Sequence, residues 1–294
     1  MKKVGFIGVG IMGKSMVRNL MKAGFELHIY ARTKSKVEDV ISEGAQFHES
    51  IKDCVQDCDA VITIVGFPQD VEEVYFDQGN ILDSAKKGAY LIDMTTTSPQ
   101  IAEKIYAEGT KRGFHVMDAP VTGGDTGAKA GTLSILVGGE KEDYEACMPL
   151  FEAMGTNINY QGKAGCGQHC KLANQIMIAG TLSGVCEALT YAKEQGLDPE
   201  VFMKSVATGA AGSKQLDTFG PKILKDDYAP GFFMKHFIKD MKLALIEANR
   251  KGLSLDVLSM VLANYEELEQ EGYGDLGTQA LMKFYDEEHR NTEE

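Results

Sequence analysis

Three polar side chains share one face of a predicted helix in the middle of the chain. Lys171, Asn174 and Gln175 stand at positions i, i+3 and i+4, which lie on the same side of an α-helix. An apolar run follows at 176–179, so we expect this helix to be mostly buried. Burial would lower the pKa of a lysine and let it exchange a proton near neutral pH. A lysine on a solvated face is the alternative that stays open here.

Two further segments suit an anionic substrate. A predicted strand ends in Thr122-Gly123-Gly124, whose backbone N–H groups and threonine hydroxyl would hold a carboxylate. Lys239 and Asp240 stand near the start of a later predicted helix, where the lysine would reach a cofactor or an anion and the aspartate would be its partner. A simple turn and a solvated charge pair are the alternatives. Positioning and a proton donor are what hydride transfer requires of a protein.

The cofactor is predicted by a glycine loop near the N-terminus. Gly8-Val9-Gly10-Ile11-Met12-Gly13 follows a predicted strand and opens a helix, the context in which this spacing binds a dinucleotide. Gly8 allows the tight turn, Gly10 lets the backbone approach the pyrophosphate, and Gly13 allows close packing of helix on strand. The N–H groups at the helix start would face the phosphates, and Met12 would pack near the nicotinamide.

The end of the second predicted strand favours NADP. NAD enzymes usually carry an Asp or Glu there for the ribose 2′-hydroxyl, but this chain reads Ala31-Arg32-Thr33-Lys34-Ser35-Lys36. A 2′-phosphate suits this group, with Arg32 stacked on adenine and Thr33 and Lys36 holding phosphate oxygens. A basic turn that accepts either dinucleotide is the alternative, so NAD stays possible. The rest of the groove is predicted from the ends of later strands: Val65, Gly66, Phe67, Pro68 and Thr96.

The elements that must position these residues differ between the two halves of the chain. Short apolar strands alternate with helices in the first half, which predicts an α/β domain with a mainly parallel sheet. The predicted strands are Lys3–Val9, Leu27–Ala31, Ala60–Val65, Ala89–Met94, His115–Pro120 and Leu133–Gly138, and the predicted helices include Ile11–Ala23, Lys34–Ser42 and Pro99–Lys111.

The second half lacks strand patterns. Its predicted helices are Gln168–Gln195, Pro199–Thr208, Phe237–Lys251 and Asp256–Glu271. We therefore predict a dinucleotide-binding domain at 1–164 and an all-α domain at 165–294, joined by the long first helix. The charged C-terminal residues 287–294 are expected to fray.

Composition limits the partners. The 294 residues carry 43 acidic and 30 basic side chains, a formal net charge of −13, which disfavours nucleic acid and anionic membranes. No apolar run is long enough for a membrane span, and no signal peptide is evident. Six scattered cysteines are expected as free thiols in the cytoplasm. Cys166, His169 and Cys170 offer only three close ligands, so we predict no metal site.

Four motifs, taken in order, resemble the β-hydroxyacid dehydrogenase family, which includes 3-hydroxyisobutyrate dehydrogenase and tartronate semialdehyde reductase. The motifs are GFIGVGIMGKSMVRNL, DAPVTGGDTGAKAGTLSILVGG, GCGQHCKLANQ and FIKDMKLAL. The resemblance covers nearly the whole chain and implies a Rossmann-type domain followed by an all-helical one. It implies hydride transfer between NADP(H), or NAD(H), and a small 3-hydroxy acid or its semialdehyde. It also implies a homodimer or homotetramer assembled through the helical half.

The resemblance implies a role for each residue of the predicted site. Lys171 would be the general acid/base, and Asn174 and Gln175 would orient the substrate. Thr122, Gly123 and Gly124 would bind the substrate carboxylate. Lys239 would lie near the cofactor, braced by Asp240, which we count with the substrate site.

Two departures from the family pattern bear on the identity of the substrate. Thr122 stands where the family usually has Ser, so an added methyl group narrows the pocket. Gln175 stands where the family often has the shorter Asn. The alternative functions are a dinucleotide-binding regulator without turnover and a reductase of another semialdehyde or imine. Lys171, Asn174, Lys239 and the Thr122-Gly123-Gly124 loop together argue against the regulator, and Lys171 argues against an imine reductase.

Overall fold

The computed structural model describes residues 1–285, and the chain divides into two compact units, Met1–Lys171 and Leu172–Glu294. The predicted domain boundary at 164 lies a few residues before this division. The prediction of a frayed tail at 287–294 concerns residues outside the described part of the chain.

The first unit contains a nine-stranded sheet with neighbours in the order β3-β2-β1-β4-β5-β6-β8-β7, and β9 also pairs with β8. The strands are β1 Lys3–Ile7, β2 Glu26–Tyr30, β3 Gln46–Phe47, β4 Ala60–Thr63, β5 Tyr90–Asp93, β6 His115–Asp118, β7 Val121–Thr122, β8 Leu133–Gly139 and β9 Gly155–Gly162. All pairs from β3 to β6 are parallel, whereas β8 runs antiparallel to β6 and β7. A mainly parallel sheet was predicted, and it is confirmed.

Helices connect these strands. They are α1 Ile11–Lys22, α2 Glu38–Ser42, α3 Ile51–Val55, α4 Pro68–Phe76, α5 Ile81–Ser84, α6 Pro99–Lys111, α7 Gly124–Ala130, α8 Lys141–Ala146 and α9 Met148–Met154. Both faces of the sheet are covered: Val4 packs in one buried cluster with Met16 of α1, and Leu91 packs in another with Ile105 of α6. This double covering explains why the strands are apolar throughout.

Register across the sheet aligns the carboxyl ends of its central strands. Ile7 pairs with Thr63, Thr63 with Asp93, and Asp93 with Asp118. The chain therefore leaves β1, β4, β5 and β6 along one edge. In doubly wound sheets, ligands bind at this edge, beside the point where the strand order reverses, which here lies between β1 and β4.

The described part of the second unit is helical. The helices are α10 Cys166–Glu194, which begins in the first unit, α11 Pro199–Ala207, α12 Lys214–Ile223, α13 Met234–Arg250 and α14 Asp256–Gln270, with 3-10 turns at Tyr273–Asp275 and Thr278–Tyr285. A buried cluster includes Leu182 of α10, Phe237 of α13 and Tyr265 of α14.

The long helix α10 is less buried than predicted. Met177 is 74% exposed and Tyr191 is 66% exposed, so the expectation of a mostly buried helix is wrong for one side of it. Its apolar residues are not confined to one face, and the sequence pattern therefore did not separate the covered side from the open one. Length and composition would also let α10 cross a membrane, but core helices meet the same criterion, and this is weak evidence for a span.

Candidate active site

The glycine loop has the geometry that its spacing predicts. Gly8 adopts φ +98°, and a Cβ atom there would lie 2.1 Å from the carbonyl oxygen of Ile64. A Cβ at Gly13 would lie 2.2 Å from the oxygen of Gly8, so α1 packs directly on the turn. At Gly10, by contrast, a Cβ would meet no atom within 4 Å. Open space at Gly10 is where a ligand can approach the backbone.

The start of α1 suits a phosphate group. Gly10 caps the helix with no side-chain hydrogen bond, and no acidic residue stands in the first turn. The first backbone N–H groups are therefore directed to a ligand or to solvent. Ile11 is 48% exposed, whereas Val9 is buried and can face a ligand only with its backbone. Together with the open space at Gly10, this turn fits the pyrophosphate of a dinucleotide.

The basic turn after β2 already has an acidic partner. Ala31 is partly buried and Thr33 is exposed. The guanidinium of Arg32 lies 3.3 Å from the Asp70 carboxylate, and the arginine side chain is 76% exposed. The other oxygen of Asp70 accepts a hydrogen bond from the Phe67 backbone N–H at 2.9 Å, just before Pro68 opens α4. Asp70 thus joins two segments of the predicted groove.

The two lysines of the same turn, Lys34 and Lys36, differ in their ion pairing. Lys34 lies 3.6 Å from Glu49. Lys36 is exposed, and within residues 1–285 it makes no ion pair. Both lysines are exposed, so no buried contact fixes either ammonium group.

Buried polar side chains link the ends of β4 and β5. Oδ1 of Asp93 accepts hydrogen bonds from the Thr63 hydroxyl at 2.8 Å and from the Thr95 N–H at 3.1 Å. The Thr95 hydroxyl in turn accepts one from the Val65 N–H at 2.9 Å. Burial raises the pKa of the Asp93 carboxyl to about 6. One hydrogen-bond network through Asp93 and Thr95 therefore fixes the backbone at Val65 and next to Thr96.

Asp118 holds the beginning of α10. Its two carboxylate oxygens accept hydrogen bonds from the backbone N–H groups of Gly165 and Gln168, each at 2.8 Å. Burial raises the pKa of Asp118, and these N–H groups act in the opposite direction. A Cβ at Gly167 would lie 2.4 Å from the oxygen of Leu136, so this glycine allows the helix start to approach the sheet closely. These hydrogen bonds attach the first turn of α10, which precedes Lys171, to the end of β6.

The predicted catalytic lysine lies in the second turn of this helix. Lys171 is 7% exposed, so it is not the solvated lysine that remained an alternative. Lysine is rarely buried without a partner or a task. Its backbone is fixed through the first turn of α10 by Asp118.

The predicted polar residues of the second unit form one network. Asn174 donates a hydrogen bond to Gln175 at 2.8 Å, and Gln175 donates one to Asp240 at 2.6 Å. Lys239 Nζ lies 3.0 Å from the other oxygen of Asp240, which is fully buried. Gln175 and Asp240 thus orient Asn174 and Lys239, the two residues with more exposure.

The Thr122-Gly123-Gly124 loop connects the end of β7, which is antiparallel to β8, to the start of α7. β6 and β7 pair with β8 in the same antiparallel register, with Ala119 and Pro120 between the two strands. Thr122 is partly exposed at the end of β7, and Gly123 and Gly124 have φ of +129° and +65°. Residues with a side chain rarely adopt such backbone angles, so this conformation of the loop depends on glycine. No atom lies within 4 Å of a Cβ at Gly124, which leaves its backbone accessible.

Sequence reasoning missed the polar residues that support the site. They are Asp70, Asp93, Thr95, Asp118 and Gln168. One signal was available: a polar residue ends three successive apolar strands, at Thr63, Asp93 and Asp118. Nothing in the local pattern shows which loop each of these polar groups binds, because their partners are distant in sequence.

Two family profiles together match nearly all of the described chain. The NAD binding domain of 6-phosphogluconate dehydrogenase matches residues 3–162. A second profile, described as NAD-binding of NADP-dependent 3-hydroxyisobutyrate dehydrogenase, matches residues 165–285. Their boundary falls between β9 and α10.

Curated relatives and solved structures agree with these profiles. The uncharacterized oxidoreductase YkwC of Bacillus subtilis is 49% identical over 97% of this chain and 99% of its own length. The 2-hydroxy-3-oxopropionate reductase of Escherichia coli is 37% identical over 86% of both chains. A solved structure of Mycobacterium tuberculosis 3-hydroxyisobutyrate dehydrogenase with L-serine covers 97% of this chain and 99% of its own, with a TM-score of 0.88 and 26% identity.

Proposed function

Because the chain belongs to the β-hydroxyacid dehydrogenase family, we propose that it transfers a hydride between NADP(H) and a small 3-hydroxy acid or its semialdehyde. Its class is shown: an NAD(P)-dependent oxidoreductase acting on CH–OH groups. The observation that carries the finer proposal is Lys171, a buried lysine in a helix whose start is tied to the cofactor-binding edge of the sheet.

The first unit has the groups to hold the dinucleotide. Gly8, Gly10 and Gly13 shape the turn, and the uncapped start of α1 faces the pyrophosphate. Val65 and Thr96, on the neighbouring strand ends, complete the groove. When bound, the nicotinamide supplies or accepts the hydride.

Lys171 moves the proton that accompanies the hydride. In the reducing direction its ammonium donates a proton from Nζ to the substrate oxygen, and in the oxidising direction the neutral amine removes the hydroxyl proton. The Thr122 hydroxyl and the N–H groups of Gly123 and Gly124 bind the carboxylate. Asn174 and Gln175 orient the substrate, and Lys239, paired with Asp240, offers a positive charge to an anion.

Arg32 and Lys36 support the preference for NADP. Both are exposed cations after β2, where an acidic residue would serve the 2′-hydroxyl of NAD. Asp70 lies 3.3 Å from Arg32 and partly neutralises it, but this exposed contact is weak enough for a 2′-phosphate to compete. A solvated Lys36 adds a second cation for that phosphate.

A substrate panel tests the proposal. The full-length protein is assayed at the nicotinamide absorbance with 3-hydroxyisobutyrate, L-serine and tartronate semialdehyde, each with NADP(H) and with NAD(H). We expect turnover of at least one compound, with the larger kcat/KM for NADP(H). Binding of NADPH without any turnover would favour the non-catalytic regulator instead, and a clear NAD preference would contradict the assignment of Arg32 and Lys36.

The role of Lys171 is tested by Lys171→Met. We expect kcat to fall about 10²- to 10⁴-fold while the Kd for NADPH changes little, because general acid/base catalysis contributes this factor. Lys193→Met, an exposed lysine near the end of the same helix, is the matched control and should keep wild-type kcat. Normal kcat in Lys171→Met would disprove its assignment.

We further propose that the helical unit joins copies of the chain into a homodimer or homotetramer. Large apolar side chains are exposed on α10 and α14: Met177, Val257 and Met260 are 74%, 59% and 52% exposed. Water contact with such side chains is unfavourable, and association would bury them. Sedimentation velocity of the full chain should show an assembly larger than 32.1 kDa.

A further inference from the structure

The side chain of Gln168 spans both sides of Thr96. Its Nε2 donates a hydrogen bond to the Thr95 carbonyl oxygen at 2.8 Å, and its Oε1 accepts one from the Thr97 N–H at 3.0 Å. Gln168 has no exposed surface. A single buried amide therefore fixes the backbone before and after Thr96, a predicted residue of the cofactor groove.

The backbone of Gln168 is held as firmly as its side chain. Its N–H donates to Asp118 at the end of β6, and the same carboxylate holds Gly165. The Thr95 hydroxyl continues the chain of contacts to the Val65 N–H at the end of β4. Gln168 is thus the link between three strand ends and the first turn of α10.

Lys171 follows Gln168 by three residues in the same helix, about 4.5 Å along the helix axis and on a neighbouring side. A shift of the helix start would move the lysine relative to the Thr96 loop. We propose that Gln168 is a positioning residue: its amide couples the Thr95–Thr97 loop to the helix segment that carries Lys171. This inference rests on the proposed function for its catalytic consequence.

Glutamine meets a requirement that few side chains meet. The site needs one donor, for the Thr95 oxygen, and one acceptor, for the Thr97 N–H. A primary amide carries both groups, whereas an ionised carboxylate only accepts. Methionine has a similar length but forms neither bond, so Gln168→Met removes the coupling and retains most of the volume.

Hydrogen exchange of the full-length protein tests the coupling without turnover. In wild type we expect NADPH to slow exchange both at 94–98 and at 163–171. In Gln168→Met the Thr97 amide should exchange faster without ligand, since it loses its acceptor. NADPH should then protect 94–98 much more than 163–171.

Steady-state kinetics test the consequence for chemistry. We expect Gln168→Met to lower kcat about 10- to 100-fold, the cost of a small misplacement of reacting groups, while the Kd for NADPH stays within about threefold. NADPH deuterated at the transferred position should give a larger isotope effect on kcat than in wild type. A merely structural role would lower the melting temperature and the active fraction but leave this isotope effect unchanged.

Gln279→Met is the matched control. Gln279 is also fully buried, and its Nε2 donates to the carbonyl oxygens of Asp227 and Ala229 in the second unit. Its replacement should lower stability and leave the isotope effect unchanged. Wild-type exchange coupling in Gln168→Met would overturn the proposal, and so would wild-type kcat. If wild type converts no compound of the panel, the proposed function fails, and the exchange experiment still decides whether Gln168 couples the two segments.

Discussion

The two units build their polar sites from different parts of the chain. In the first unit, part of the predicted site is backbone, at Gly10 and in the Gly123-Gly124 loop, where glycine allows the conformation or leaves open space. In the second unit the groups are side chains on helices, where Gln175 of α10 meets Asp240 of α13. The difference is between a site made by backbone conformation and a site made by helix packing.

This difference has a consequence for how each site fails. A backbone site depends on glycines, because a Cβ would overlap protein atoms, as at Gly13, or enter the space left for a ligand, as at Gly10. A side-chain network depends on a buried charge that must keep its partners, because an unpaired buried charge is costly. Substitutions at these glycines should therefore act through steric overlap, and those in the Gln175–Asp240 network through electrostatics.

The largest effect is expected for the glycine loop. Gly10→Ala adds a methyl group where no protein atom lies within 4 Å, so stability should be unchanged. The same methyl group would obstruct the pyrophosphate, at a steric cost of about 1–3 kcal/mol, which weakens NADPH binding about 10- to 100-fold. Gly13→Ala would place its Cβ 2.2 Å from the Gly8 oxygen and should lower the melting temperature as well. Titration of each variant with NADPH measures its Kd. An unchanged Kd in Gly10→Ala would contradict a pyrophosphate site at this backbone.

A smaller functional effect is expected for the side-chain network. Asp240→Asn keeps the shape but removes the charge that holds Lys239 at 3.0 Å and Gln175 at 2.6 Å. We expect a loss of about 3 kcal/mol in unfolding free energy and a lower kcat/KM for the acid, with NADPH binding retained. Asp275→Asn, at an exposed pair with Lys235, should cost less than about 1 kcal/mol. Equal losses in the two variants, measured by urea denaturation, would contradict the distinction between buried and exposed pairs.

The smallest effect on function is expected for Asp93, a buried carboxyl of the first unit that contributes to stability. Burial raises the pKa of Asp93 from 3.8 to about 6, so the folded chain binds this proton more tightly than the unfolded chain. The proton's stabilising contribution is complete below pH 3.8 and is lost as pH rises through 6. Relative to Asp93→Asn, wild type should lose about 1 kcal/mol of unfolding free energy per pH unit as the pH rises from 4 to 6, and the difference should then level off.

Urea denaturation of both proteins at pH 5 and pH 8 measures this difference. The comparison with Asp93→Asn cancels the other carboxylates, which titrate in both proteins. A constant difference between the two pH values would show that Asp93 is not the titrating group. A changed NADPH affinity in Asp93→Asn would in addition link it to the Thr95 and Val65 contacts above it.

Local signals predicted much of the fold. The Ser98-Pro99 start signal predicted α6 at Pro99–Lys111, which the structure has with the same bounds. The predicted strand Lys3–Val9 ends earlier, at Ile7, because Gly8 turns at φ +98°. The predicted helix Lys34–Ser42 is instead a 3-10 turn at Lys34–Lys36 followed by α2, since Val37 leaves helical geometry. Strand β9 and the helices α3 to α5 carry weak patterns and were not predicted.

The sequence by itself determined the elements that depend on local chemistry. The glycine loop, the apolar strands and the helical spacing of Lys171, Asn174 and Gln175 follow from residue type and interval, because each is decided within one or two turns of chain. Tertiary structure alone decided that Gln168 holds the loop around Thr96 and that Asp240 meets Gln175. Those partners are separated by 65 residues or more, and no local interval encodes which buried donor will find which acceptor.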